Sequence, residues 1–281
     1  MTLQEYLTAQ HIDDHRLVNV LIADHLIDER WQEVFLLVAG LMRGGADKLL
    51  LAMEAQARSY INTPKLKALL KWTHQITNGA LGNCSNAAKR ATAIFLALLS
   101  THEVERSSRA LDLARVLHPD LARMLELART LSRARVPEFP HTMPQSPARA
   151  ATPTRAFARA MTDAFAEELE KLQLFHGVNF SALMARLQLL KTKAPDIRQP
   201  ADLHQAFQHQ VSQTWLNGLR LEPSIVKLSD SELQNLEHYL YAHCLMVRAQ
   251  QAAVRVSPRT WSAISAKRNS EGTEARICQL E

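Results

Sequence analysis

Apolar residues recur along most of the chain at a spacing of three or four, which is the period of an α-helix with one buried face. Strand-like alternation of apolar and polar residues is nearly absent, and the chain has only 8 glycines. The pattern predicts an all-α fold without a sheet, built as an array of roughly a dozen helices that is solenoid-like or forms two helical lobes. One stripe of helical spacing consists of Trp31, Val34, Phe35, Val38, Leu41 and Met42.

Capping signals mark where several of these helices begin. Thr63-Pro64 combines an N-cap residue with proline at the first helical position. Ser229 stands three residues before Glu232, which is the spacing of a capping box and predicts a helix after it. Ser85 is a further candidate N-cap, and Ser257-Pro258 predicts a last, short helix.

The composition changes abruptly near the middle of the chain. Five prolines lie within residues 135–153, and such a stretch is incompatible with a continuous helix. A connection this long without its own structure is uncommon inside one compact domain. We therefore divide the chain into an N-terminal helical lobe (1–134), a proline-rich linker (135–153), a C-terminal helical lobe (154–266) and a tail predicted to be disordered (267–281).

The first residues form an amphipathic segment of their own. Leu3, Tyr6 and Leu7 fall on neighbouring positions of a helix, so residues 2–12 are predicted to be helical with one apolar face. The segment reads as the middle of a helix, and its apolar face normally expects an earlier element to pack against. We therefore expect Leu3, Tyr6 and Leu7 to form a face that packs against a partner. We also expect the chain to be a truncated part of a longer protein, which works only together with the missing part.

Positive charge is concentrated in one segment. The formal net charge is +5, and between Glu103 and Arg159 there are ten arginines, no lysine and six acidic residues. We interpret this segment mainly as a solvated, arginine-coated face of alanine-rich helices. The alternative is a nucleic-acid-binding surface, which needs a clustered basic stripe. The candidate basic residues are Arg115, Arg123, Arg129 and Arg133.

The motifs of common catalytic and metal sites are missing or incomplete. The nearest string to a phosphate-binding loop, residues 44–48, lacks the glycine spacing and the hydroxyl residue after its lysine. His11 and His15 are four residues apart, but Ile12 stands where a zinc protease has its catalytic glutamate. Cys84 is predicted to be the most exposed thiol, yet inert, because no base lies nearby in the sequence. We therefore predict no catalytic, metal-binding or cofactor-binding residue, and we expect that the chain is not an enzyme.

Bulk features indicate a cytoplasmic protein. The longest apolar stretches, such as residues 34–41 and 93–99, are far too short to span a bilayer, and there is no secretory signal. The three cysteines are scattered and form neither a disulfide framework nor a Cys-x-x-Cys pair. We expect no membrane partner.

Several segments resemble one protein family. One is TLQEYLTAQHI at residues 2–12, which is similar to the FQEYLAA segment of NACHT-type NTPases of the STAND class, relatives of NLR proteins. Residues 21–42, with the core W-x-E-V-F-L-L-x-A-G, resemble the stretch that follows it. Residues 60–72 resemble the C-terminal helical region of bacterial NACHT proteins. Residues 236–264 are similar to the terminal helix pair of that region, more loosely, and residues 101–225 match only in composition.

The resemblance implies the C-terminal helical region of a NACHT NTPase, without the NTPase domain. In that family the region is taken to sense a ligand and to hold the NTPase in check. We expect a non-catalytic sensor or regulatory module that acts by protein–protein contact in signalling or defence. Its expected partner is the NACHT and winged-helix NTPase portion, in the same longer product or as a separate chain. The alternative is a stand-alone helical adaptor that binds nucleic acid through residues 103–159.

Overall fold

The computed structural model describes residues 2–100, 108–133, 169–195 and 199–270, and the regular structure in these ranges is entirely helical. The prediction of an all-α fold is therefore confirmed. A single turn of 3-10 helix lies at Glu29–Trp31. In chain order the α-helices are α1 (Leu3–Asp14), α2 (Val18–His25), α3 (Gln32–Leu41), α4 (Asp47–Ser59), α5 (Pro64–Thr77), α6 (Asn86–Ser100), α7 (Ser108–Leu117), α8 (Pro119–Arg133), α9 (Phe180–Thr192), α10 (Ala201–Gly218), α11 (Pro223–Val226), α12 (Asp230–Ala252) and α13 (Pro258–Ser270).

The helices divide into two compact units, one of which brings the two ends of the described chain together. Residues up to 71 and from 228 onwards form the first unit, and the residues between them form the second. The first unit therefore contains α12 and α13 beside α1–α4. The linker predicted at 135–153 lies outside the described residues, and the division of the chain at this linker stays a prediction.

The core of the first unit is built around α12, which packs against α3 and α4. Every residue of this helix from Tyr239 to Val247 is buried. A helix that is buried all round lies inside the protein rather than on its surface. On α3 and α4, the side chains of Phe35, Leu49 and Met53 have no exposed surface.

Local capping signals start these helices as predicted. The Ser229 hydroxyl accepts a hydrogen bond from the Glu232 amide (3.3 Å), and the Glu232 carboxylate accepts one from the Ser229 amide (2.9 Å). The capping box that precedes α12 is thereby confirmed. Thr63 Oγ1 accepts from the Leu66 amide at the start of α5 (3.3 Å), and Ser85 Oγ accepts from the Ala88 amide at the start of α6 (3.2 Å).

Two hydrogen bonds connect the turn between α3 and α4 to residues 255–257, which precede α13, and we call this pair of hydrogen bonds the clasp. The Ala46 amide donates to the carbonyl oxygen of Arg255 (3.0 Å), and the Ser257 amide donates to Asp47 Oδ1 (3.0 Å). Gly45 adopts a φ of +94° at this turn, which favours glycine. The helix α13 that follows the clasp reaches Ser270, so residues 267–270 of the predicted tail are helical, and residues 271–281 lie outside the described part.

In the second unit, α6 is the central helix among the described residues. It packs against α7, α8 and α10, and all of its residues from Ala91 to Leu99 are buried. Trp72 Nε1 donates to the carbonyl oxygen of Leu219 (3.1 Å), which anchors α5 to the end of α10. Trp215 on α10 is completely buried and Trp72 is 6% exposed, so both tryptophans of this unit are core residues.

Candidate partner-binding face

The helix α1 that carries the predicted partner-packing face has its own N-cap. Thr2 Oγ1 accepts from the Glu5 amide (3.3 Å), and Glu5 Oε2 accepts from the Thr2 amide (2.6 Å), which completes a capping box. The hydrogen bond from the Thr2 backbone lowers the pKa of the Glu5 carboxyl. The interpretation of this segment as the middle of a helix was wrong, because α1 begins at Leu3. The Thr-x-x-Glu spacing was the local signal for this start.

Opposite sides of α1 have different surroundings. Ala9 and Ile12 are buried, and α1 packs against α3. Leu3, Tyr6 and Leu7 remain exposed, with 74%, 37% and 53% of their surface accessible. The helix therefore buries a short inner stripe and leaves its larger apolar side chains in solvent. Here we call Leu3, Tyr6 and Leu7 the α1 face.

The α1 face is bordered by polar side chains that the sequence pattern did not single out. Gln4, Thr8 and His11 line a shallow depression together with Leu3 and Leu7. An apolar centre with a polar rim is the usual arrangement of a protein-contact surface. The structure thus places the three predicted residues together and leaves them accessible, and what covers them stays a prediction.

His11 lies in the last turn of α1, and His15 is the C-cap of that helix. Their rings lie 4.1 Å apart between centroids, and His15 Nδ1 is 2.9 Å from the carbonyl oxygen of His11. Arg16 follows with a positive φ of 57°, which turns the chain out of the helix. Within the described residues, no group of three or more His, Cys, Asp or Glu side chains is arranged to hold a metal ion.

The candidate basic residues on α7 and α8 stand among acidic partners. Arg115 pairs with Asp112 (2.8 Å) and with Glu126 (3.4 Å), and Arg123 pairs with Asp120 (3.3 Å). Arg129 and Arg133 also belong to α8, but their side chains lie outside the described residues. Exposed pairs of this kind stabilise a helix only slightly, and they offset the positive charge of the arginines.

Cys84 is buried, so the expectation that it is exposed was wrong. Its side chain is 8% exposed, and burial raises the pKa of its thiol, while the nearby charge of Lys89 lowers it to a smaller extent. A thiol with a raised pKa is a poor nucleophile at neutral pH. None of the described helices is long and apolar enough to cross a membrane.

The comparisons with known proteins identify the C-terminal part of the chain. Residues 183–267 match the family model of the NACHT C-terminal helical domain 2. The resemblance to the helical region of NACHT proteins is thereby confirmed. No curated protein and no solved structure matches the chain significantly.

The matched residues extend further towards the N-terminus than the segment at 236–264 that resembles the family. They also include residues 183–225, which had been assigned a match in composition alone. They cover α10–α12 and most of α9 and α13, and so lie in both compact units. The NACHT C-terminal helical domain 2 is a part of NACHT proteins other than the NTPase.

Side chains within the matched residues contact the segments at 21–42 and 60–72, which resemble the family but lie outside the match. Arg248 Nη1 donates to Gln32 Oε1 (2.8 Å), and the ring of His238 meets that of Tyr60 edge-on, at 5.2 Å between centroids. The first unit therefore combines the C-terminal part of the matched residues with the N-terminal residues up to 71.

Proposed function

We propose that the chain is a non-catalytic helical regulatory module that works by protein contact, and that the α1 face is the surface by which it contacts its partner. The observation that carries the proposal is the exposure of Leu3, Tyr6 and Leu7 on a helix that is capped and packed against α3. The match of residues 183–267 to the model of the NACHT C-terminal helical domain 2 supports a regulatory role in signalling or defence, which we propose to take place in the cytoplasm.

The size of the α1 face favours a partner that is held close by another link. Three apolar side chains offer much less than the roughly 800 Å² per partner that a standard protein interface buries. A small contact becomes effective when a covalent linker or a second contact raises its effective concentration. We propose that the partner is the NACHT and winged-helix NTPase portion of a NACHT protein, either in the same longer product or as a separate chain held by a second contact.

In this proposal the module inhibits the NTPase by binding one of its conformations. A contact shifts a conformational equilibrium only by the difference in its affinity for the two states. Coupling of this kind typically changes affinity between about 5-fold and 150-fold. The α1 face would then be needed for inhibition rather than for folding of the module. Arg115 and Arg123, with their acidic partners, give no comparable support to nucleic-acid binding.

The experiment starts from the coding sequence upstream of residue 1 and in the neighbouring genes. A phosphate-binding-loop NTPase found there is produced with and without this chain, and its rate of ATP hydrolysis is measured. We expect the chain to lower that rate, and Leu7→Asp to relieve the inhibition at least about fivefold. The matched control is Leu189→Asp, because Leu189 on α9 is exposed to a similar extent, 59% against 53%.

Two results would overturn the proposal. One is the absence of a phosphate-binding-loop NTPase both in frame and in the neighbouring genes. The other is an equal effect of Leu7→Asp and Leu189→Asp on the rate of ATP hydrolysis, because the α1 face would then be no different from any exposed leucine.

A further inference from the structure

Two segments of the second unit line a half-open cavity of about 260 Å³. One wall is the turn from Gly79 to Leu81 between α5 and α6, and the other wall comes from the segment between Leu169 and Phe180. The cavity lies outside the matched residues 183–267 and contains no residue of the α1 face.

The walls of this cavity are tied to each other by main-chain contacts. The His176 amide donates to the carbonyl oxygen of Ile76 (2.6 Å), and the Gly82 amide donates to that of Gln173 (3.1 Å). The two wall segments approach each other so closely at Gly82 that a Cβ at this position would overlap the carbonyl oxygen of Leu172. A cavity between segments fixed in this way is largely formed before a ligand binds.

A buried lysine, Lys89, holds the turn at Gly79–Leu81 in place through a hydrogen bond. Lys89 is 3% exposed, and its Nζ donates to the carbonyl oxygen of Ala80, a wall residue, at 2.8 Å. Burial of an ammonium group is costly unless the group is hydrogen-bonded, so this contact holds the turn in one position. The first wall is therefore built by the fold and is not a chance gap between loops.

The cavity combines a carboxylate with aromatic side chains. Both carboxylate oxygens of Glu170 lie within hydrogen-bond distance of Ser181 Oγ, at 2.9 and 2.8 Å. The hydroxyl has a single proton to donate, and no lysine or arginine within the described ranges pairs with Glu170, so its oxygens can accept further bonds. Phe175 and Phe180 also line the cavity, with ring centroids 5.8 Å apart.

We propose that this cavity binds a small organic cation, with an ammonium group on Glu170 and an apolar body against Phe175 and Phe180. A carboxylate pairs with the charge, and aromatic rings attract both the cation and its hydrocarbon part. The volume is about that of nine water molecules in the liquid, so the ligand is a small amine rather than a nucleotide or a peptide.

The test uses the full chain and phenethylamine as the probe, in isothermal titration calorimetry. Phenylacetate is the matched probe of similar size with the opposite charge. We expect phenethylamine to bind and phenylacetate not to bind. Glu170→Gln keeps the shape of the side chain and removes its charge, and we expect it to weaken phenethylamine binding about tenfold, the effect of losing a charged hydrogen bond.

The control variant is Glu222→Gln. Glu222 is also exposed and accepts a hydrogen bond from a serine, Ser224 (2.5 Å), but it does not line the cavity. We expect this variant to bind phenethylamine like the original chain. Equal binding of the two probes, equal effects of the two variants, or no binding of phenethylamine at millimolar concentration would each overturn the proposal. None of these results bears on the α1 face.

Discussion

Gly45 holds the turn between α3 and α4 in a conformation that other residues adopt only with strain. Its φ is +94°, and a Cβ at this position would lie 3.1 Å from the carbonyl oxygen of Arg255. That carbonyl is the acceptor for the Ala46 amide in the clasp. A single glycine therefore decides whether the α3–α4 turn can meet the segment before α13.

We expect Gly45→Ala to destabilise the first unit by about 1–3 kcal/mol, the usual cost of a strained backbone position. The neighbouring Gly44→Ala is the control, because a Cβ there meets no atom within 4 Å and its φ is not positive. Hydrogen exchange of the amides of α3 and α4, measured as a function of urea concentration, gives the stability of the first unit in both variants. Equal midpoints for the two glycine variants would contradict the expectation.

At the scale of elements, the start of α12 is joined to the start of α5 through one carboxylate. Glu232 caps its own helix at Ser229, and Lys65 Nζ lies 3.8 Å from it. The hydrogen bond from the Ser229 backbone lowers the pKa of the Glu232 carboxyl, and burial raises it to a smaller extent. Hydrogen bonds from the hydroxyls of Thr63 and Ser229, and the charge of Lys65, lower this pKa further. The capping box thus also connects two helices of the first unit.

We expect Glu232→Gln to destabilise the first unit by about 1 kcal/mol at neutral pH, because the charged capping interaction is lost. The pKa of Glu232 is lower in the folded chain than in the unfolded chain. Its ionised carboxylate therefore adds to the free energy of unfolding above the pKa of the unfolded chain, and this addition is lost as the pH falls through the pKa of the folded chain. The difference in unfolding midpoint between the original chain and Glu232→Gln should therefore shrink below about pH 4. The control is Glu237→Gln, on the same helix, and a difference that stays constant down to pH 3 would contradict the expectation.

At the scale of the whole molecule, the two compact units are not consecutive in the sequence. The first unit takes α1–α4 from the front and α12 and α13 from the end of the described chain. Side chains of α3 and α4 such as Phe35, Leu49 and Met53 are buried in a core to which α12 contributes. The core of the first unit is therefore incomplete without α12.

We expect a chain shortened to residues 1–227 to lose the fold of the first unit and to keep that of the second. Removal of α12 exposes much of the apolar surface of α3 and α4, and such surface supplies most of the folding free energy. Hydrogen exchange should become fast for the amides of α3 and α4 and stay slow for those of α6, which serve as the internal control. Protection of α3 and α4 in the shortened chain would show that α12 is dispensable.

The local features of the fold were accessible from the sequence. Helical period, the capping box at Ser229 and the caps at Thr63 and Ser85 all depend on residues three or four apart, so their physics lies within short segments. The box between Thr2 and Glu5 depends on the same spacing and could have been found in the same way. The resemblance to the helical region of NACHT proteins was also visible, although residues 183–225 had been assigned a match in composition alone.

The site depended in part on the tertiary structure. The amphipathic pattern singled out Leu3, Tyr6 and Leu7, but their exposure follows from the packing of α1 on α3 through Ala9 and Ile12. The pattern of one helix cannot tell which of its faces a distant helix covers. The partner of the α1 face therefore stays a prediction.

The sequence by itself determined the helical class, several helix starts and the resemblance to the helical region of NACHT proteins. Only the tertiary structure decided that α12 packs with α3 and α4, that Cys84 is buried and that the Leu169–Phe180 segment forms a pocket with the turn at Gly79–Leu81. The physical reason is separation along the chain. Helix formation and capping act between neighbours, whereas burial and cavities arise from contacts between distant segments, which no local pattern encodes.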